Sequence, residues 1–265
     1  MWTLCVAQIQ NWMALNSLKI NADKTEVICF GTSKQLKDLK SITNDNIVVN
    51  SESFNIVNFV RNLGFYMDSE LKNSYHASKL CSELYLKIRN ISNVRKNLTK
   101  EAASILIQSI VVSKLDYCNS QFLGSSELII NRLQKIQNMC CRVVCKLRKY
   151  DHVTDPLKTV HCLKVRHRIN FKILLFMFKC IHGSAPSYLK DLLEHKQHYR
   201  SLRKSSKRNF QPILTRTIFA QNSLFASAGT KLWNQLPLEL RLITDESVFK
   251  NKLKTFLFRI CYELN

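Results

Sequence analysis

The apolar residues of this chain recur at the spacing of an α-helix through most of the sequence after Asp68. The first such stripe predicts a helix over residues 75–94. Its members are Leu80, Leu84, Ile88 and Ile91. Similar patterns predict helices over 99–115, 125–143 and 163–181, and a last helix after a capping segment at 244–247. The 265 residues include only 5 Gly and 4 Pro. An all-β fold needs more turn-forming residues than this, so we expect helices to dominate.

The first 70 residues follow a different pattern. A helix is predicted over residues 2–17, a short buried strand over 27–31 and another strand over 60–67. Apolar runs on both sides of residues 50–53 predict a hairpin. We therefore expect an α+β fold that is mostly α. The expected parts are a helix packed on a small antiparallel sheet in 1–70, a helical bundle in 71–148 and a basic helical region in 149–265.

The positive charge of the chain is large and unevenly distributed. Lys and Arg outnumber Asp and Glu by 40 to 19, which gives a formal net charge of +21. Residues 1–70 hold 6 basic and 7 acidic residues, whereas residues 142–208 hold 17 basic and 4 acidic ones. Such an excess, interleaved with aromatic residues, is typical of a surface that binds nucleic acid through its phosphates. An excess of solvated lysines and an affinity for anionic membranes are the two alternatives.

Ten cysteines lie mostly within apolar patterns. No signal peptide is recognised, and the apolar run at 169–181 is short and interrupted by lysines. We expect reduced, buried thiols in a protein of the nucleus or cytoplasm, with no transmembrane segment.

Several cysteines and histidines lie close together in the sequence. They are Cys140, Cys141, Cys145, His152, His161, Cys162 and His167. Zinc sites usually pair closely spaced ligands on a turn. Cys140 and Cys141 lie instead in the middle of a predicted helix, where adjacent side chains point about 100° apart. No metal site is therefore predicted.

Two segments of the first third carry the most specific motifs. Residues 18–26 read Leu-Lys-Ile-Asn-Ala-Asp-Lys-Thr-Glu and follow the end of a predicted helix. Residues 60–68 read Val-Arg-Asn-Leu-Gly-Phe-Tyr-Met-Asp. Further segments that follow in order are 110–120, 133–138 and 231–237. Taken in this order, the segments resemble the C-terminal part of a non-LTR retrotransposon reverse transcriptase of the jockey or chicken-repeat (LINE) type, from its motifs D and E through its thumb.

The resemblance implies roles for particular residues. Lys24 would face the incoming nucleotide and protonate the leaving pyrophosphate. Arg61, Leu63 and Gly64 would belong to the primer grip, where Gly64 would allow a close backbone approach. The helices of the thumb would hold the template–primer duplex through its phosphates. The basic residues placed to do so are Lys79, Lys87, Arg89, Arg95, Lys96, Arg132, Lys135, Arg142, Lys146, Arg148 and Lys149.

The same resemblance bears on catalysis. A polymerase of this family holds two metal ions with an Asp-Asp pair on a hairpin before motif D. No such pair precedes residue 18. The resemblance therefore implies a palm remnant in residues 1–70, a thumb in 71–148, and a fragment of an RNA-directed DNA polymerase that does not polymerise alone.

Partners follow from the same reasoning. An RNA or DNA template–primer is the expected partner, with no membrane and no small-molecule substrate. No cofactor is expected, although the parent family would use Mg²⁺. The alternative is a decayed or domesticated helical module that binds other proteins and has no role with nucleic acid.

Overall fold

A computed structural model describes residues 2–21, 24–43, 46–49, 52–194, 210 and 215–263. Most of these residues are helical, and the described strands form two small antiparallel hairpins. The expectation of an α+β fold that is mostly α is confirmed. The chain separates into two compact units, Met1–Ser78 and Lys79–Asn265. None of the described helices has the length and apolar character needed to span a membrane.

The first unit contains two helices and two hairpins. Its elements are α1 (Trp2–Leu15), α2 (Ser33–Thr43), β1 (Asn46–Val49), β2 (Glu52–Asn55), β3 (Phe59–Asn62) and β4 (Phe65–Asp68). Strand β1 pairs with β2, which confirms the hairpin predicted around residues 50–53, although Asn50 and Ser51 lie outside the described residues. The strand predicted over 27–31 is wrong, because this segment makes a single parallel bridge, from Val27 to Ile56.

The single strand predicted over 60–67 is instead the β3–β4 hairpin. Leu63 and Gly64 form its two-residue turn, with φ angles of +47° and +89°. Two successive positive φ angles are typical of the type I′ turn, whose twist matches that of the flanking strands. Glycine adopts the second angle without steric cost. The turn therefore accounts for Gly64, while its approach to a primer stays a prediction.

From Leu4 onward, where its side chains are described, helix α1 has no buried apolar residue: several are exposed, and Val6 and Met13 are half-buried. Leu4 is 67% exposed, Trp12 is 61% exposed and Leu15 is 86% exposed. The expected packing of this helix on a sheet is therefore wrong, since such packing requires a buried apolar face.

The second unit is helical. Helix α3 (Ser74–Val94) runs into it from the first unit. The helices that follow are α4 (Lys100–Ile107), α5 (Ser113–Asp116), α6 (Glu127–Cys145), α7 (Thr154–Thr159), α8 (Val165–Ile181), α9 (Ser187–Glu194), α10 (Ile218–Ser223), α11 (Thr230–Asn234), α12 (Leu238–Arg241) and α13 (Glu246–Cys261). The division expected near residue 148 falls inside this unit, where α6 packs against both α7 and α8. Residues 195–209, the end of the basic stretch, lie outside the described residues.

Local signals in the sequence account for several helix ends. Thr99 accepts a hydrogen bond from the Ala102 amide at 3.1 Å and caps α4. Asp245 caps α13 in the same way, with Val248 as donor at 2.8 Å. Helix α8 ends just before Gly183, whose φ is +73°. The helix predicted over 99–115 is interrupted by a π-helical turn, Gln108–Val112, which separates α4 from α5.

Aromatic side chains fill the core between α8 and α13. Phe178 and Phe249 stack with their ring centroids 4.3 Å apart, and Trp233 lies 5.9 Å from Phe249. All three are at most 1% exposed. The hydroxyl of Tyr262 donates to the Cys162 carbonyl at 2.6 Å and connects the end of α13 to the segment before α8. Burial of these apolar side chains stabilises the packing of α11 and α13 against α8.

Candidate nucleic-acid interface

An open groove lies between α3 and α6 in the second unit, and we call it the α3–α6 groove. Its volume is about 580 Å³. The residues that line it are Cys81, Ser82, Tyr85 and Leu86 of α3 with Arg132, Lys135, Ile136 and Met139 of α6. The lining is thus mostly apolar, and α6 contributes two cations to it.

The helical stripe of α3 explains why Tyr85 faces this groove. Leu84 and Ile88 are buried at 0% and 2% exposure. Because successive residues of a helix turn by about 100°, the residue after Leu84 lies at the edge of the buried stripe. Tyr85 is accordingly 51% exposed, and its neighbour Leu86 is 59% exposed. A half-exposed aromatic ring beside cations is suited to stacking on a nucleic-acid base.

The cations of α6 stand on one side of that helix. Arg132 and Lys135 are exposed and three residues apart, and Arg142 follows seven residues after Lys135. Arg132 lines the groove together with Cys81 of α3, and its positive charge partly offsets the rise that burial causes in the pKa of the Cys81 thiol. Arg142 is half-buried, and its Nη2 donates to the Asp151 carbonyl at 3.1 Å. Arg132 and Lys135 are therefore the two predicted residues that the structure brings together at the groove.

Of the cations of α3, Arg89 lies nearest to the groove in the helical pattern. It follows Tyr85 by four residues, so the two share a face, and it is exposed. Lys79 is also exposed. Lys87 lies on another face and pairs with Glu83 at 3.1 Å. Glu83 also pairs with Lys114, and both lysines hold the pKa of the Glu83 carboxyl below its ordinary value, Lys114 more strongly.

The segment after α6 carries a further exposed group of cations. Lys146 ends α6 with a φ of +54°. The backbone amide of Arg148 donates to the Asp151 carboxylate at 2.7 Å, which fixes the turn that follows. The ammonium of Lys149 lies 5.3 Å from the ring centroid of Tyr150, which is 85% exposed. This second aromatic and basic pair is accessible to solvent.

Arg95 does not belong to the exposed set. It is 8% exposed. Its guanidinium donates to the carbonyls of Leu98 at 2.6 Å, Val143 at 2.8 Å and Val144 at 2.9 Å. These carbonyls include two at the end of α6, so the side chain serves to cap that helix. We therefore correct the prediction that Arg95 contacts phosphate. Lys96, next to it, is exposed as expected.

The predicted residues of the first unit lie on exposed turns. Lys24 is exposed, and its amide donates to the Asn21 carbonyl at 3.2 Å. Ala22 and Asp23, which belong to the same motif, lie outside the described residues. Arg61 lies 5.7 Å from the ring centroid of Tyr66, and Leu63 is 85% exposed at the tip of the β3–β4 hairpin.

Sequence reasoning missed the aromatic and apolar part of the groove. Charge and motifs alone do not single out Tyr85, Leu86 or Met139. The signal that could have found them is the position of Tyr85 directly beside the buried stripe, together with its spacing of four residues from Arg89.

The cysteines and histidines considered for zinc do not converge in the described part of the chain, where no group of three or more His, Cys, Asp or Glu side chains could hold a metal ion. Burial raises the pKa of Cys140 and of Cys141 to about 12, so both thiols are protonated at neutral pH.

Comparison with known proteins identifies no relative. No protein-family model, no curated protein and no solved structure matches the chain.

Proposed function

We propose that this protein binds RNA or DNA through the α3–α6 groove and the cations around it. The observation that supports the proposal is that a half-exposed tyrosine, Tyr85, lines the same groove as Arg132 and Lys135. Cations attract the phosphate backbone without reading sequence, and an aromatic ring accepts any base on its face. The groove therefore suits a strand held by its backbone, with one base stacked on Tyr85.

The proposal extends to the polymerase that the motifs resemble. In that setting the second unit would hold the template–primer, and the β3–β4 hairpin with Arg61, Leu63 and Gly64 would contact the primer end. Lys24 would act on the incoming nucleotide only where carboxylates supply two metal ions. We propose a substrate-holding role for the described residues, without polymerisation by them alone.

The distribution of charge favours nucleic acid over a solvated excess of lysine. Lysines kept for solubility would be spread evenly, whereas residues 1–70 hold 6 basic and 7 acidic residues and the remainder holds 34 and 12. A protein with this balance gains affinity for a polyanion by releasing the counterions of the phosphates.

The role of Tyr85 is tested by fluorescence anisotropy with labelled single-stranded RNA and with a labelled RNA–DNA template–primer. We expect Tyr85→Ala to weaken binding of the single strand by roughly 5- to 150-fold, since stacking contributes about 1–3 kcal/mol per base. Tyr85→Phe keeps the ring and should bind like the unaltered protein. Tyr188→Ala is the matched control, because Tyr188 is 66% exposed on α9. Equal losses in Tyr85→Ala and Tyr188→Ala would contradict a stacking role.

A second function, protein interaction, is supported by α1. Its exposed Leu4, Ile9, Trp12 and Leu15 form an apolar surface of a kind that marks interaction sites. Absence of any binding to either nucleic acid at low salt would leave this alternative as the better account.

A further inference from the structure

A cavity of about 490 Å³ lies inside the second unit, separate from the α3–α6 groove. Its wall is built from α4 and the chain from the π-helical turn after it to Asn119, the C-terminal half of α6, the segment from α7 to the first half of α8, and one residue of α13. The volume is within the range of small-molecule sites, about 300–1,000 Å³. A π-helical turn, as at Gln108–Val112, is frequently found at functional sites.

The wall of this cavity is mostly uncharged. Ile107, Val144, Leu157 and Leu163 are apolar and buried, and they line it. Cys140 and Cys141 line it too, and burial keeps their thiols protonated at neutral pH. A protonated, buried thiol behaves as a small apolar group. The cavity thus offers an apolar surface to the body of a ligand.

The charges in the wall do not cancel. Arg168 forms a two-point pair with Asp116, with Nε donating to Oδ1 at 2.7 Å and Nη2 donating to Oδ2. This pair neutralises itself. Lys172 of α8, which is half-buried, and Lys254 of α13, which is exposed, also line the cavity, and neither makes an ion pair with any described residue. Two lysines without a carboxylate partner among the described residues therefore line a cavity whose uncharged wall combines apolar and thiol side chains with polar ones such as Gln108 and Asn119.

From this arrangement we infer that the cavity binds a small organic anion with an apolar body, its acid group held by Lys172 and Lys254. An uncharged apolar compound would gain no ion pair from either lysine, whereas a small inorganic anion would not cover the apolar part of the wall. A carboxylate on an alkyl chain satisfies both parts. The inference does not depend on nucleic-acid binding, because the groove and the cavity share none of their lining residues.

The test is calorimetric titration of the full chain with decanoate and, as the uncharged match, decanol, both at concentrations below micelle formation. We expect decanoate to bind at least tenfold more tightly than decanol. The double variant Lys172→Gln/Lys254→Gln should bind the two compounds within about twofold of each other. Lys252→Gln is the control, since Lys252 is exposed on α13 but does not line the cavity, and it should retain the full preference.

The location of the bound compound is tested separately with Val160→Trp, which places a large ring at a cavity-lining position that is 41% exposed. This variant should lose the binding of both compounds while keeping the thermal stability of the unaltered protein. Decanoate should also slow the alkylation of Cys145, which lines the cavity, and leave the rate at the exposed Cys5 unchanged. Equal affinity for decanoate and decanol, no binding of either, or a preference that survives in the double lysine variant would overturn the inference.

Discussion

The guanidinium of Arg95 occupies a position where three backbone carbonyls converge, two of them at the end of α6. Arg95→Met removes these donors and leaves the carbonyls without their partner. We expect a loss of about 2–4 kcal/mol in the free energy of unfolding, because hydrogen bonds to a charged group are among the stronger ones. A urea titration measures it. Lys96→Met changes the exposed neighbour and should stay within about 0.5 kcal/mol. Similar stabilities for the two variants would contradict the capping role.

Two glycines have nearly the same positive φ angle but different surroundings. Alanine substitutions at the two positions therefore separate the cost of the backbone conformation from the cost of a steric clash with the added Cβ. Gly124 has a φ of +72° and Gly183 has a φ of +73°. A Cβ at Gly183 meets no atom within 4 Å, whereas one at Gly124 would lie 2.8 Å from the backbone carbonyl of Asn222. Gly183→Ala should cost about 1–2 kcal/mol from the left-handed conformation alone. Gly124→Ala should cost about 1–3 kcal/mol more, because backbone must move.

Thermal or urea unfolding of both glycine variants checks the comparison. The predicted order is unaltered protein, then Gly183→Ala, then Gly124→Ala. An equal loss of stability in the two variants would mean that Gly124 does not lie against Asn222 as described.

At the scale of elements, the N-cap residue of α13 makes the stability of this helix dependent on pH in the acid range. Hydrogen bonds from Ser247 and from the Val248 amide hold the pKa of the Asp245 carboxyl below its ordinary value of 3.8. A carboxyl with a lowered pKa stabilises the fold above that ordinary value, and the stabilisation is lost as the pH falls through the lowered pKa. The helix should therefore lose stability below about pH 4.

The variant Asp245→Asn isolates this effect, because asparagine also caps helices but does not titrate in acid. We expect its free energy of unfolding to fall less steeply between about pH 4 and pH 2 than that of the unaltered protein. Urea unfolding monitored by circular dichroism at several pH values measures the difference. If the stability of the two proteins changed identically with pH, the cap at Asp245 would not contribute to the pH dependence of folding.

Periodicity predicted the existence of most long helices, since the pattern at Leu80, Leu84 and Ile88 reports burial directly. It could not predict the π-helical turn at Gln108–Val112, because a run of apolar residues continues through it without a change of period. The strand over 60–67 became a hairpin because Leu63 and Gly64 form a tight turn inside an apolar run. Turn chemistry outweighed strand pattern there.

The sequence was sufficient to predict the two cations of the candidate site, but it did not predict the groove that they line. The sequence contains the cations of α6, and Arg132 and Lys135 do share a groove. Little in the local sequence distinguishes exposed Lys96 from buried Arg95, since two of the three carbonyls that Arg95 contacts are almost fifty residues away. The cavity is more difficult still to predict from sequence, because the residues that line it are spread from Ser104 to Lys254.

At the scale of the whole molecule, the change from near-neutral to basic sequence coincides with the boundary between the two units. The first unit is almost neutral, and the basic residues are concentrated in the helical second unit. A net charge of +21 attracts any polyanion over long distances, but this attraction alone does not locate a binding surface. The proposed role therefore depends on showing that the residues of one groove, and not the total charge, set the affinity.

The most direct measurement is the slope of log Kd against log salt concentration for single-stranded RNA, compared between the unaltered protein and Arg132→Gln/Lys135→Gln. Each phosphate contact on a single strand contributes about 0.7 to this slope, so the double variant should lose about 1.4. Lys252→Gln/Arg259→Gln removes the same charge from exposed positions of α13 and should leave the slope unchanged. A double variant at Arg132 and Lys135 with the slope of the unaltered protein would contradict the account.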